Sequence, residues 1–301
     1  MASYGKQEYW EERYTRYPNP CEWIAGWDLI SRLLTPNFLC LAAPPPSGEI
    51  RVHGLNQLSL AHLLSIRNYH GDFVIDEELE YCDSQSSLLT IDFPSREKAR
   101  VLNVGCGNSK LSADMVYHGW MDITNVDYSK VVIKKMQSKY GDYYYKDLHS
   151  CIQREVMLRQ SLGLESRDDS PQTVMRPKPR MTFEHGDITK GIGYPDESFD
   201  LIICKKTLDV ILCSAGSVAN ARAMMTECFR LLDSDHGVMI ILSSGKPEDR
   251  AVFFENDPWT GVLNVKLPSH SDENFKRTSD DRKKAEHYVY ILYKQSGAMS
   301  N

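Results

Sequence analysis

Among eight cysteines, at 21, 40, 82, 106, 151, 204, 213 and 228, no two form a C-x-x-C pair. That disfavours a structural zinc site, and the cysteines read as reduced thiols, several on apolar faces. No apolar run is long enough to span a bilayer, and the start, MASYGKQEYWEERY, lacks the apolar stretch of a secretory signal. A cytoplasmic location is the expectation. There is no excess of basic charge either: the formal net charge is -6. This argues against a general phosphate-backbone binder, so neither a nucleic-acid nor a membrane partner is expected. Internal repeats are absent, and nothing in the sequence specifies an oligomeric state.

What remains is the composition of a globular protein, 42% hydrophobic and 25% charged over 301 residues, a length that suits one large α/β domain with insertions or two small domains, the first being favoured. Residues 1–40 are dense in aromatics and are expected to form a helical cap, with Trp10 and Tyr14, four apart, on one helix face. Residues 41–99 read as an inserted or linker segment. The prolines of LAAPPPSGE (41–49) interrupt any helix, and SLAHLLSIR (59–67) could form a short amphipathic one. From residue 100 the pattern is regular: RVLNVG, DITNVD, MTFEHGD, FDLIICK and GVMIILSS alternate with helical stretches such as Ala219 to Leu232. That alternation predicts a mostly parallel sheet with helices on both faces. The last two strands, VLNVKL (262–267) and HYVYILYK (287–294), are separated by a charged loop and predict an antiparallel hairpin. A mobile insertion is expected near 145–180, where SLGLESRDDSPQTVMRPKPR is rich in charge and proline, and a polar loop at 268–284.

The first strand runs into Gly105-Cys106-Gly107, then Asn108, Ser109 and a helix. A P-loop would need Lys followed by Ser or Thr after its second glycine, and GCGNSKLS lacks that order. A dinucleotide fingerprint would want a third glycine where Lys110 stands, which weakens a nicotinamide or flavin reading. Asp127 ends the next strand, twenty residues beyond Gly107, where a carboxylate can accept hydrogen bonds from ribose hydroxyls. Its replacement is expected to leave the fold intact. The third strand ends in Gly186-Asp187-Ile188, a second carboxylate beside an apolar residue suited to the edge of an adenine ring. Three neighbouring strand ends thus carry Gly, Asp and Asp, and they point to adenosine more than to pyrophosphate. Plainer roles are available for each: a tight turn for the glycines, a helix N-cap for Asp127 or Asp209, core contacts for Trp10 and Tyr14, an exposed strand end for Lys205 and Lys206.

This arrangement resembles the seven-stranded, Rossmann-like class I S-adenosylmethionine-dependent methyltransferases. EYWEERY (8–14), Trp23, VLNVGCGNSKLS, NVDYSKVVIKKM and FDLIICKKTLDVIL look like the elongation factor 1-alpha lysine methyltransferase and methyltransferase-like protein 13 group, over roughly residues 4 to 34, 100 to 140 and 181 to 294. The resemblance implies S-adenosyl-L-methionine as cofactor and a lysine of a protein, possibly a translation elongation factor, as acceptor. By it Trp10, Tyr14 and Trp23 close over the cofactor, Gly105 and Gly107 lie beneath it, Asp127 holds ribose with Tyr128 beside it, and Asp187 and Ile188 flank adenine. Lys205 occupies the lysine of the family's E-K-G-T-L-D-A motif and is counted with the cofactor-binding residues, whereas Cys204 stands in place of the motif's acid and Lys206 in place of its glycine. Those departures leave open a small-molecule methyltransferase or a cofactor-binding pseudoenzyme. No general base is specified, Asp209 being a weak candidate.

Overall fold

A computed structural model describes residues 4–34, 41–42, 89–90, 93–141, 178–254, 259, 261–267 and 286–294. The helix expected at 59–67, the loop at 268–284 and nearly all of the 145–180 insertion lie outside the described residues. Two helices come first, α1 (Gln7–Arg16) and α2 (Trp27–Leu33), then a short antiparallel pair, β1 (Leu41–Ala42) and β2 (Leu89–Thr90).

The apolar runs from residue 100 become strands because both of their faces are covered, as parallel sheets require. These are β3 (Arg100–Val104), β4 (Asp122–Asp127), β5 (Arg180–His185), β6 (Leu201–Lys205) and β7 (Gly237–Ser243), all parallel. Between them run α3 (Leu111–Tyr117), α4 (Lys130–Lys139), a single 3-10 turn at Ile188–Lys190, α5 (Thr207–Ile211) and α6 (Ser217–Leu231). After β7 come α7 (Pro247–Phe254) and the expected antiparallel ending, β8 (Gly261–Lys266) and β9 (Tyr288–Lys294). Strand β9 inserts between β7 and β8, antiparallel to both, giving a seven-stranded order β5-β4-β3-β6-β7-β9-β8.

Alternation along each strand divides the core in two. Trp10, Ile30, Leu111, Met115 and Val132 cover the face bearing Val101, Ile123, Ile203 and Ile240. Leu208, Met224, Leu231 and Phe254 cover the face bearing Leu102, Ile202, Cys204 and Ile241. Strand order reverses between β3 and β6, and in open α/β sheets the ligand crevice lies outside the carboxyl ends of the strands at such a reversal.

The opposite, amino edge is held by one arginine. Arg100 donates its backbone N–H (2.6 Å) and guanidinium (2.5 and 3.1 Å) to Asp200, and reaches Asp233 at 3.2 Å. His236 Nε2 also meets Asp200, at 2.9 Å. Asp200, Asp233 and His236 lie within ligand reach of one another, but the guanidinium already neutralises the carboxylates. Burial alone would raise the Asp200 carboxyl, yet the Arg100 and His236 hydrogen bonds hold it below its usual range. Its stabilisation is therefore present at neutral pH and lost as pH falls below the ordinary carboxylate range. Asp200→Ala should cost on the order of 3 kcal/mol in urea denaturation at pH 7, and the difference from wild type should shrink in acid.

Candidate functional site

Gly105 and Gly107 take positive φ, 66° and 52°, where other residues are strained. The chain's own atoms also fill the space beside them. A Cβ at Gly105 would lie 2.0 Å from Thr207 Oγ1, whose hydroxyl donates to Val104 O at 2.9 Å. A Cβ at Gly107 would lie 2.7 Å from the Tyr14 hydroxyl. The loop is thus clasped by α5 on one side and α1 on the other.

Asp127 lies under this loop, 5% exposed. Its Oδ2 accepts the Gly107 N–H and its Oδ1 the Ser129 N–H, both at 2.9 Å. Burial pushes the carboxyl up to about 6, although those two N–H donors and nearby His185 work in the other direction. Removing the carboxylate would orphan two loop N–H groups, so Asp127 has a structural role of its own in the loop. It is not the helix cap: Ser129 is, its Oγ accepting the Val132 N–H at 3.2 Å.

The N-terminal segment reaches the carboxyl edge of the sheet with two glutamates that the sequence reading assigned no role. Glu11, on α1, accepts from Ser129 Oγ (2.7 Å), Lys130 N–H (2.9 Å) and Val131 N–H (3.0 Å), at the start of α4. Glu22 accepts from Ser109 Oγ (2.7 Å) and Lys110 N–H (2.6 Å), at the start of α3. Each carboxylate meets a helix end where donors are free and the dipole favours negative charge. The aromatics pack around these contacts. Trp10 and Tyr14 share one face of α1, ring centroids 5.7 Å apart, and both are buried. Trp10 donates its Nε1–H to Tyr4 O at 2.6 Å, while half-buried Trp23 lies 5.1 Å from the Arg13 guanidinium. Of the three, Tyr14 is the one set against the glycine loop.

The other singled-out residues divide by what engages them. The Tyr128 hydroxyl is shielded from solvent yet has no hydrogen-bond partner, and burial, then the charges of Asp127 and Asp187, push its ionisation up. Asp187 accepts from Thr189 N–H (3.1 Å) and Oγ1 (2.7 Å) and pairs with Lys190 (3.0 Å), so it caps the 3-10 turn. Ile188 beside it is buried in the core on the α5–α6 face. Lys205 is no exposed strand end: its ammonium donates to Glu22, to Ala25 O (3.2 Å) and to Ser109 Oγ (3.1 Å). Asp209 is equally occupied, by Ser243 Oγ (3.0 Å), Ser244 N–H (3.2 Å) and Arg250 (2.9 Å), and binds α5 to the end of β7.

The two departures at 204 and 206 sit differently from one another. Cys204 points into the α5–α6 core, where burial pushes its thiol up to about 12, so this side chain does not line the mouth of the crevice. Lys206 keeps the left-handed backbone, φ 71°, that a glycine there would adopt freely. Three contacts hold it: its N–H to Leu242 O (2.9 Å), its ammonium on Ser244 Oγ, and Asp209 at 3.7 Å.

Chemically, the edge offers an acid beneath a glycine loop, and two of the N–H donors that a diphosphate would use are already taken. A diphosphate takes the free N–H groups at the start of the helix after the loop. Here the Lys110 N–H goes to Glu22 and the Leu111 N–H to Ser109 Oγ at 3.1 Å.

Two outcomes follow from the burial of Asp127 and the capping by Glu11. Because the Asp127 pKa is raised in the folded chain, ligand-free stability should decline as pH rises through about 6, and Asp127→Asn should flatten that decline in thermal melts between pH 5 and 7. Glu11→Ala should cost about 1–2 kcal/mol and speed tryptic cleavage after Arg13 and Arg16 of α1.

No family model matches the chain. It is 31% identical over 154 residues to an eEF1A lysine and N-terminal methyltransferase homolog of Drosophila melanogaster, covering 51% of this chain and 16% of that protein. It is 28% identical over 159 residues to EEF1A lysine methyltransferase 4 of Bos taurus, covering 50% and 48%. The chain thus spans less than half the length of each of these relatives. Among solved structures, a SAM-dependent methyltransferase from Leishmania major aligns over 66% of both chains at 10% identity and a TM-score of 0.41, too distant to bear on the site. In sequence the chain is similar, over about half its length, to proteins named as eEF1A lysine methyltransferases, and it carries their resemblance on a mostly parallel seven-stranded sheet with a C-terminal antiparallel pair.

Proposed function

We propose that the protein is an S-adenosyl-L-methionine-dependent methyltransferase whose acceptor is a lysine of a protein substrate, an elongation-factor-1-alpha-like protein by the names of its relatives. One observation carries the cofactor half of this reading. A buried carboxylate lies under a glycine loop whose following helix is already capped by Glu22; this suits nucleoside hydroxyls better than a diphosphate, because the Lys110 and Leu111 N–H groups are already taken. The partnerless Tyr128 hydroxyl, next to that carboxylate, is a further sign that a polar ligand belongs there, since buried polar groups are ordinarily hydrogen-bonded.

When bound, the cofactor supplies a methyl carbon activated by sulfonium charge, so in-line positioning does much of the catalysis. Asp127 would hold the ribose, Tyr128 would donate beside it, and Asp187 with Ile188 would border the adenine. Tyr14, with Trp10 and Trp23 behind it, would close the site and exclude water. An acceptor lysine, with an ordinary pKa of about 10.4, must lose its proton to react, and an apolar, aromatic surrounding favours the neutral amine. Asp209 is engaged by Ser243, Ser244 and Arg250, which argues against its serving as the base. The departures at Cys204 and Lys206 support the second reading, a cofactor-binding pseudoenzyme.

Incubation of the full chain with methyl-labelled cofactor and cell extract separates the readings. Transfer into a protein band, located on lysine by mass spectrometry, is the expected result. Label entering only small solutes would overturn the protein acceptor, and binding of S-adenosylhomocysteine without any turnover would favour the pseudoenzyme.

A further inference from the structure

We infer that Glu22 is a positioning residue of the cofactor crevice: by bridging Lys205 to the start of α3 it holds the glycine loop and residues 17–26 in the conformation that grips the ligand, and Lys205 acts through this bridge. The inference rests on reading the crevice as an S-adenosylmethionine site.

The bridge spans the reversal of strand order. Lys205 ends β6, while Ser109 and Lys110 follow β3, the two strands on either side of the reversal. The Glu22 carboxylate lies between them and accepts from all three residues. The Lys205 side chain is 6% exposed and that of Glu22 29%. An ammonium has three hydrogens. Those of Lys205 are accounted for by Glu22, Ala25 O and Ser109 Oγ, two of these partners lying within residues 17–26. None is left for a ligand while the bridge stands. Asn108, in the glycine loop, adds a bond to Asn19 O at 2.5 Å. The segment therefore crosses from loop to strand end as a strap, pinned at each side. Without the carboxylate, Lys205 is a buried cation facing one carbonyl and one hydroxyl, and relief requires water to enter or the strap to lift.

Glu22→Gln keeps the shape, removes the charge and turns an amide toward the ammonium. Two measurements on the full chain test it. In ligand-free protein, hydrogen exchange within residues 17–26 should quicken at least tenfold while β3 and β6 are unchanged; equal exchange in 17–26 would overturn the strap whatever the ligand is. With S-adenosylhomocysteine as probe, the variant should bind at least tenfold more weakly, chiefly through faster dissociation. Lys205→Met should lose a similar factor, and the double variant should lose no more than either alone. Affinity within twofold of wild type in Glu22→Gln would overturn the positioning role. Losses that multiply in the double variant would instead put Lys205 on the ligand. A wild-type chain that does not bind the probe would remove the cofactor reading and with it the positioning role, while the exchange result would still report on the strap alone.

Discussion

Two carboxylates from one N-terminal segment close the N-termini of the two helices that border the crevice, and the carboxyl edge of the sheet is organised around that fact. Glu11 satisfies the start of α4 and Glu22 the start of α3, each taking a serine hydroxyl together with backbone N–H groups. In a dinucleotide fold the corresponding helix end is where a pyrophosphate rests. Filling it with a side chain changes what the crevice can recognise. In the proposed reading charge is supplied from within the chain, and the ligand brings ribose hydroxyls and a flat purine ring.

The same contacts make the N-terminal segment part of the site. Tyr14 reaches Gly107 because Glu11 seats α1 on α4, and Lys205 is neutralised because Glu22 brings the strap across from β3 to β6. Asp127 ties Gly107 to Ser129 inside the protein, and in the proposed reading it also holds the ribose. The two N–H donors offset part of the cost that burial puts on its ionisation. At the other end of the strands, Arg100 gathers Asp200 and Asp233, so the amino edge carries a structural network and the carboxyl edge carries the crevice.

Most of the sheet was legible in the sequence because central parallel strands are buried on both faces, and runs such as VLNV, LIIC and VMIIL have few other places to go. The terminal hairpin was legible for a different reason: the residues between its strands are polar and charged, with no apolar period to make a crossover helix. The glycine loop and Asp127 stood out by spacing. Glu11 and Glu22 did not, because their partners lie 87 to 183 residues away and an acid in a helix or beside a tryptophan carries no local signal. The left-handed backbone at Lys206 was hidden for the opposite reason, since a lysine does not advertise a conformation that glycine would. Asp209 offered a carboxylate at a strand edge, and only the fold shows Ser243, Ser244 and Arg250 converging on it.

In the proposed reading this edge takes an adenosine in preference to a bridging diphosphate. A crystal structure of the full chain grown with S-adenosylhomocysteine tests it most directly. The account predicts ribose hydroxyls on Asp127 with Glu22 still seated on Ser109 and Lys110; an empty crevice, or a diphosphate-bridged compound lying where Glu22 had been, would contradict it.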